Sequence, residues 1–518
     1  MWYEQVHWDF LATLAVLGLC NCVFGASHSA QPNIILIVAD DLGWDDVGFH
    51  GSEIMTPNID NFAKKGVALS NYYVSPICTP TRGSLLTGKH PISLGLQHAV
   101  ILGPQPYGLP LKHKTMAQYL KELGYSTHIV GKWHLGLFEK EYMPTFRGFD
   151  THFGYLTGKE DYFDHFDDDV YWGLDLRRNM EVVRNETGHY STELFTAEAE
   201  KVIEQHNTSK PLFLYLAHQA VHAGNDNDPL QAPQKYVHRF PYIKDYRRRI
   251  FAGMVSALDD SVGNITGLLQ ERGMLENSVI IFTTDNGGPT NGYNGNAACN
   301  KPLRGVKQTL WEGGVRGTGF VYSPLIKKPG YVSSNLMHVS DWLPTLYHVA
   351  GGNSSDLINV EGFDLWDMIS SSGKPVRKEL LHNIDPIANH SAIRVGDYKL
   401  IMGDISGGRN DLWYSCTPPN SEPYNRTNTK TGVIHVDCGE KPLNYSINCQ
   451  PLKSPCLFNV VSDPCEYNNI AGSNPQVVAS LLKRLSDYAA HAVPPGNKPT
   501  DPRANPKYHD GAWGPWLR

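Results

Sequence analysis

Short runs of continuous apolar residues mark the chain at 33–38 (N-I-I-L-I-V), 125–130, 212–216 and 279–282. A strand with one wet face alternates, so unbroken β-branched runs of this length predict strands buried on both faces. Between them the period changes. Residues 115–123 read as a helix that stops at Gly124. From Ile250, apolar residues return at Met254, Leu258, Val262, Ile265 and Leu269, helical spacing closed by Gly273. Strands alternating with helices predict an α/β domain, a large and mostly parallel sheet flanked by helices. From about 386 the texture changes. Residues 391–402 read as two short strands around Gly396-Asp397, cysteines crowd between Cys416 and Cys465, and a helix fits 475–492. The tail from Pro494 is proline-rich and reads as irregular. The expectation is a large domain at 27–385 and a smaller α+β domain at 386–518.

Composition narrows the class. With 518 residues, 41% hydrophobic and 19% charged, the chain can bury a large core and does not read as disordered. A net charge of -7 and the lack of a long basic run exclude a nucleic-acid binder. Arg247-Arg248-Arg249 and Lys327-Lys328 are too short and read as solvated faces. An apolar run at 10–24 followed by Gly25, Ala26 and Ser27 reads as a signal peptide over 1–26, although Glu4 and Asp9 stand where positive charge is usual. No other segment approaches a 20-residue apolar span, so no stable membrane insertion is expected. Seven N-x-[ST] sequons, at Asn185, Asn207, Asn264, Asn353, Asn389, Asn425 and Asn444, point the same way. The expected location is the secretory pathway, ending in the lysosome or outside the cell. Of nine cysteines, Cys20 and Cys22 fall in the leader, and an odd number remains. In an oxidising compartment this calls for one unpaired cysteine with a special role, and Cys78 is the candidate. Cys299, Cys416, Cys438, Cys449, Cys456 and Cys465 leave three disulfides with fifteen connectivities open.

Two of the strands run into oxygen ligands. The first leads to Asp40-Asp41 and the fourth to Asp285-Asn286-Gly287-Gly288. Ligands bind beyond the carboxyl ends of strands in open α/β sheets. Three carboxylates and an amide oxygen there suit a hard cation such as Ca²⁺ or Mg²⁺. Asp259-Asp260, by contrast, lies on the polar face of a helical pattern and is assigned no role.

The most specific segment is C-T-P-T-R-G-S-L-L-T-G at 78–88. It resembles the sulfatase signature C-x-P-x-R followed by L-T-G. The resemblance continues through V-A-D-D-L-G-W-D-D-V-G at 38–48, G-K-W-H-L-G at 131–136 and Val221-His222. It also takes in T-D-N-G-G at 284–288, L-R-G-V-K-Q-T-L-W-E-G-G-V-R at 303–316, L-F-N-V-V-S-D-P-C-E at 457–466 and the closing G-P-W. Within the family the finer likeness is to the arylsulfatase B, or N-acetylgalactosamine-4-sulfatase, branch, carried by L-L-H-N-I-D-P at 380–386 and W-E-G-G-V-R-G.

This resemblance implies an alkaline-phosphatase-like sulfatase fold and hydrolysis of sulfate monoesters. It implies that a formylglycine-generating enzyme converts Cys78 to formylglycine. It places one Ca²⁺ on Asp40, Asp41, Asp285, Asn286 and the modified Cys78, with Arg82, Lys132 and Lys307 as side-chain cations. In the implied mechanism one hydroxyl of hydrated formylglycine attacks sulfur with Asp285 as base. His222 protonates the leaving alcohol, and His134 helps the second hydroxyl expel sulfate. The best-matching substrate is an N-acetylgalactosamine-4-sulfate-type glycan sulfate, the alternative a small aryl or glucosinolate sulfate. Rival readings are a metal-dependent phosphatase or phosphonate hydrolase of related fold, and a catalytically dead sulfated-glycan-binding protein. The chain departs from the family pattern in its few catalytic-domain cysteines and at 158–187 and 224–229. Both stretches read as loops at the substrate entrance.

Overall fold

Why residues 33–39 form a strand shows in what flanks them. The computed structural model describes residues 31–416 and 433–517, so the leader at 1–26 with Cys20 and Cys22, and the sequon at Asn425, lie outside the described residues. In chain order the large sheet uses Asn33–Ala39 (β1), Val67–Leu69 (β2), Ser126–Gly131 (β3), Thr151–Gly154 (β4) and Arg177–Arg178 (β5). It continues with Glu181–Val182 (β6), Leu212–Ala217 (β7), Ser278–Thr284 (β8), Gly319–Tyr322 (β9) and Tyr331–Ser333 (β10). Their spatial order is β10-β2-β9-β8-β1-β7-β3-β4-β5-β6. The central strands β8, β1, β7, β3 and β4 run parallel. Antiparallel pairs extend the sheet on both sides. The expected mostly parallel sheet is therefore a parallel centre joined to its flanks by antiparallel pairs, with the edge pair β10–β2 parallel again.

Alternation explains the unbroken apolar runs. Ile35, Ile37, Leu214, Leu216, Ile280 and Phe282 face one side. There they meet Phe195 and Ile203 of a helix at Ser191–Gln205 and Met254, Leu258 and Val262 of a long helix at Tyr246–Glu271. Ile34, Leu36, Val38, Phe213, Tyr215 and Ile281 face the other, against Leu85 and Leu86 of a helix at Cys78–Thr87 and Leu343 and Leu346 of one at Trp342–Val349. Each such side chain contributes about 1.5–3 kcal/mol by leaving water, and here neither face stays wet.

Two surface expectations are corrected. Asp259 is buried, and its carboxylate accepts from the Asn58 and Ile59 backbone amides at 3.2 and 2.8 Å, so it caps the helix Pro57–Lys65 from across the fold. Arg248 is also buried, paired with Asp46. Only its neighbours keep the solvated face expected of that run.

The C-terminal region forms an antiparallel sheet of Glu379–Asp385 (β11), His390–Val395 (β12), Tyr398–Gly403 (β13) and Cys456–Asn459 (β14) in that spatial order. Leu380, Ala392, Ile401 and Phe458 pack toward Trp311 and Val315 of the larger region. Leu381, Ile393, Leu400 and Leu457 pack against Leu481 and Leu485 of the helix Pro475–Ala489. The disulfides are Cys299–Cys416, Cys438–Cys465 and Cys449–Cys456, and Cys78 is free and buried. The described residues form one compact unit. The tail from Pro494 carries only short turns, yet it packs, with Trp513 fully buried. Among the described residues no helix is long and apolar enough to cross a membrane.

Candidate active site

Parallel register builds the site. β1 and β8 pair with Ala39 opposite Thr284, so Asp40-Asp41 and Asp285-Asn286 leave the sheet side by side. β7 lies on the other side of β1 and leads to His222, and β3 beyond it leads to Lys132 and His134. The helix Cys78–Thr87, buried along its whole length, starts at Cys78 and aims its electropositive N-terminus at these strand ends. Arg82 follows four residues on, on the same helix face. Lys307 arrives on the loop before residues 312–315.

The polar atoms interlock. Arg82 Nη2 pairs with Asp285 Oδ2 at 2.8 Å and Asp40 Oδ2 at 3.1 Å. Lys132 Nζ sits on Asp40. Lys307 Nζ is 2.8 Å from Asp41 and 3.1 Å from His222 Nε2. Asn286 Nδ2 donates to Asp41 Oδ1 at 2.7 Å, and Cys78 Sγ lies 3.8 Å from Asp40 Oδ1. His134 stands slightly apart. Its Nε2 donates to the Ile101 carbonyl at 3.0 Å, a tautomer that leaves Nδ1 unprotonated and without a partner. Every residue singled out from the sequence thus lies at this one end of the sheet. Asp41, His134 and Gln308 hold left-handed backbone conformations, with φ of 60°, 58° and 71°. Such conformations cost energy in non-glycine residues and collect at functional sites. The two glycine pairs of the motifs meet: a Cβ on Gly287 would lie 1.8 Å from the Gly313 carbonyl oxygen, so only glycine lets the two loops close.

Electrostatics sort these groups. Burial alone would raise Asp40, but Lys132 and Arg82 hold it below the usual carboxylate range. Asp285, raised by burial and by Asp40, is pushed up to about 6. Burial pushes the Cys78 thiol up, and Lys132 and Lys307 do not offset it. An unmodified Cys78 is therefore a thiol and a poor nucleophile. Lys307 is raised despite burial, because Asp41 faces it. His134 and His222 are pushed down by burial and by neighbouring lysines, and are neutral.

The site fits a divalent cation. Ligand atoms of Asp40, Asp41, Cys78 and His222 lie within 4.8 Å of one another. Asn286 Oδ1, fully buried, has no hydrogen-bond partner. Buried acceptors are rarely left unpaired, and an oxygen-rich set of this kind suits Ca²⁺.

Two contributors were not singled out from the sequence. Thr79 Oγ1 donates to the His134 carbonyl at 3.2 Å and ties the nucleophile helix to that loop. Tyr162 Oη donates to the His222 carbonyl at 2.8 Å, with its ring stacked on Tyr190. The segment expected to form an entrance loop thus supports His222 from within the core. Only the D-Y-F-D-H-F aromatic content hinted at packing.

A model of the sulfatase family matches residues 32–352. The chain belongs to the sulfatase family. Arylsulfatase J of Mus musculus is 43% identical over 516 residues, covering 95% of this chain and 82% of that protein. N-acetylgalactosamine-6-sulfatase of Mus musculus is 32% identical over 498 residues, covering 92% and 90%. The crystal structure of Ps i-CgsB in complex with k-i-k-neocarrahexaose superposes with a TM-score of 0.72 at 28% identity, over 90% of this chain and 94% of that one. This sulfatase is a sulfuric ester hydrolase, which sets aside the rival readings as a phosphatase or a dead binding protein.

Proposed function

We propose that this sulfatase hydrolyses glycan sulfate monoesters of the N-acetylgalactosamine-4-sulfate type, using formylglycine at position 78 and one Ca²⁺. The observation that carries the reading is the seat of Cys78. It opens a buried helix beside Asp40, as a protonated thiol, ringed by three side-chain cations. Hydrated formylglycine there supplies one hydroxyl for attack on sulfur and a second to release sulfate. Asp40, Asp41, Asp285 and Asn286, with residue 78, would hold the Ca²⁺, whose charge stabilises the anionic sulfate as the bond breaks.

The protein's own groups divide the remaining work. Arg82, Lys132 and Lys307 already balance Asp40, Asp41 and Asp285, so a bound divalent ion leaves the site positive toward a sulfate anion. In this reading Asp285, beside residue 78, is the base that takes the proton of the attacking hydroxyl. His134 Nδ1 is a free base on the other side. His222 donates Nδ1–H to the Ala223 carbonyl at 2.6 Å, which aims Nε2 at Lys307 and the leaving oxygen. A bound anion favours the protonated imidazole, the form that protonates the alcohol.

The names of N-acetylgalactosamine-6-sulfatase and of the neocarrahexaose complex support a glycan, and that of arylsulfatase J fits the alternative of an aryl sulfate. Three disulfides and the exposure of Asn185, Asn207, Asn264, Asn353, Asn389 and Asn444 support glycosylation and the secretory route, to lysosome or exterior. The test is an activity panel on N-acetylgalactosamine-4-sulfate, its 6-sulfate isomer, an aryl sulfate and a glucosinolate. The 4-sulfate should give the highest kcat/KM. A preference for either small-molecule substrate contradicts the glycan reading.

A further inference from the structure

A cavity of about 290 Å³ opens beside the nucleophile. Ile77 and Pro80 form one wall, and Gln308, next to Lys307, forms another. The facing wall comes from a different part of the chain: Asn383 and Asp385 on β11, His390 on β12 and Asp404 just past β13. Gln97 and His98 close it. The volume is at the small end of ligand pockets, roughly 300–1,000 Å³, and suits one ring better than an oligosaccharide.

Its hydrogen-bonding capacity is specific. Asn383 Nδ2 donates to the Gln97 carbonyl at 2.9 Å, and Gln97 Nε2 donates to the Val493 carbonyl at 2.7 Å. These bonds orient both amides and leave Asn383 Oδ1 and Gln97 Oε1 buried without a partner, on side chains 5% and 3% exposed. Each is an acceptor awaiting a hydroxyl or N–H donor. Asp385 Oδ1 accepts from the Ile387 and Ala388 amides, and its Oδ2 bonds His98 Nδ1 at 2.8 Å. That holds the His98 ring with Nε2 available. Among the described residues the cavity walls carry two carboxylates and neither lysine nor arginine.

We propose that this cavity seats the sulfated ring, and that it selects a neutral, hydroxyl-bearing sugar whose only anionic group is the sulfate under attack. The ring's hydroxyls donate to Asn383 and Gln97 and bond His98. A second sulfate or a carboxylate on the same ring would face Asp385 and Asp404 with no lysine or arginine among the described wall residues to pair with, an unfavourable burial of charge. This selectivity rests on the sulfate-ester reading above. It makes the C-terminal sheet the source of specificity for chemistry carried by the large sheet.

The test uses the full-length enzyme on three substrates: nitrophenyl sulfate, a neutral sugar monosulfate such as N-acetylgalactosamine-4-sulfate, and its disulfated counterpart. The monosulfate should exceed the disulfate in kcat/KM by about tenfold or more. Asn383→Ala and, closer to the rim, His98→Ala should each lower the sugar-to-aryl ratio of kcat/KM by about tenfold. Because both substrates read the same preparation, losses from misfolding or incomplete Cys78 modification cancel in the ratio. Ratios unchanged in both variants, or a disulfate turned over as fast as the monosulfate, overturn the proposal. Turnover of the aryl sulfate but of no sugar monosulfate overturns the seat and leaves sulfate hydrolysis standing. Turnover of none overturns sulfate hydrolysis and the seat with it.

Discussion

Lys307 and Glu312 belong to one motif yet enter two different clusters of buried charge. At the strand ends Lys307 faces Asp41, with Asp40, Arg82 and Lys132 beyond. Under the C-terminal sheet Glu312 meets Lys399 at 2.9 Å, and Lys399 meets Glu466 at 2.8 Å, all fully buried. Tyr73 Oη donates to Glu312 at 2.7 Å, Arg394 donates to Tyr73, and the Glu312 amide donates to Glu466. The second cluster joins the two sheets; its Glu466 is left-handed, with φ of 56°, and Glu466 Oε1 lacks a well-aligned hydrogen bond but lies 2.8 Å from the Lys399 ammonium. The first leaves Asn286 Oδ1 and His134 Nδ1 with neither a hydrogen bond nor a facing charge of an ion pair. Buried charge therefore does not mark function here. In the proposed reading the mark is instead a set of unpartnered atoms at the carboxyl ends of parallel strands.

The comparison is broken most sharply by removing one member from each cluster. Cys78→Ala should abolish turnover, on the order of 10⁶-fold in kcat by analogy with loss of a hydrolase nucleophile, with little change in Tm. His222→Ala should lower kcat/KM on a sugar sulfate by roughly 10²–10⁴-fold, the range for general acid catalysis. Its loss on nitrophenyl sulfate should be smaller, because nitrophenolate leaves without a proton. Equal losses would assign His222 to binding alone. Lys399→Met should do the reverse. It strands two buried glutamates and should cost about 3–5 kcal/mol of stability in denaturant titration, while kcat per folded molecule stays near wild type.

Smaller effects sharpen the contrast. Calcium at a hundredfold excess over its Kd should add about 2.7 kcal/mol to stability, read as a rise in Tm that Asp41→Ala removes. A Tm rise of equal size in that variant would place the ion elsewhere. Glu466 is raised by burial, only partly offset by Lys399, to about 7 from 4.5. A carboxyl raised in the folded state binds more protons folded than unfolded, so stability falls as pH climbs between those values. Glu466→Gln should flatten that part of the pH–stability curve, and an unaltered slope would contradict it.

Four of the five strands of the parallel centre were legible because burial on both faces leaves an apolar run, whereas β4, Thr-His-Phe-Gly, has no such run and was missed. The acidic residues that meet at the strand ends were legible because they directly follow β1 and β8. The long helix at 246–271 and the hairpin β12–β13 also announced themselves by period. What stayed hidden depends on distant partners. Asp259 looks like a polar helix position until Asn58 and Ile59 are placed over it, and Arg248 like a surface cation until Asp46 is. Tyr162 sits in an acidic stretch whose reading as a loop concealed its bond to His222. The walls of the cavity, Gln97 with Asn383 and Asp404, come from segments that no local pattern connects. The pairing of six cysteines needed the fold as well.

The central claim is that position 78 is an aldehyde in a working site and not a thiol. Mass spectrometry of the tryptic peptide spanning residues 66–82, from enzyme of measured activity, tests it directly. The account predicts a peptide in which oxygen replaces the Cys78 sulfur and which reacts with a hydrazine, in proportion to specific activity across preparations. Fully active enzyme whose peptide carries only an unmodified Cys78 thiol would contradict it.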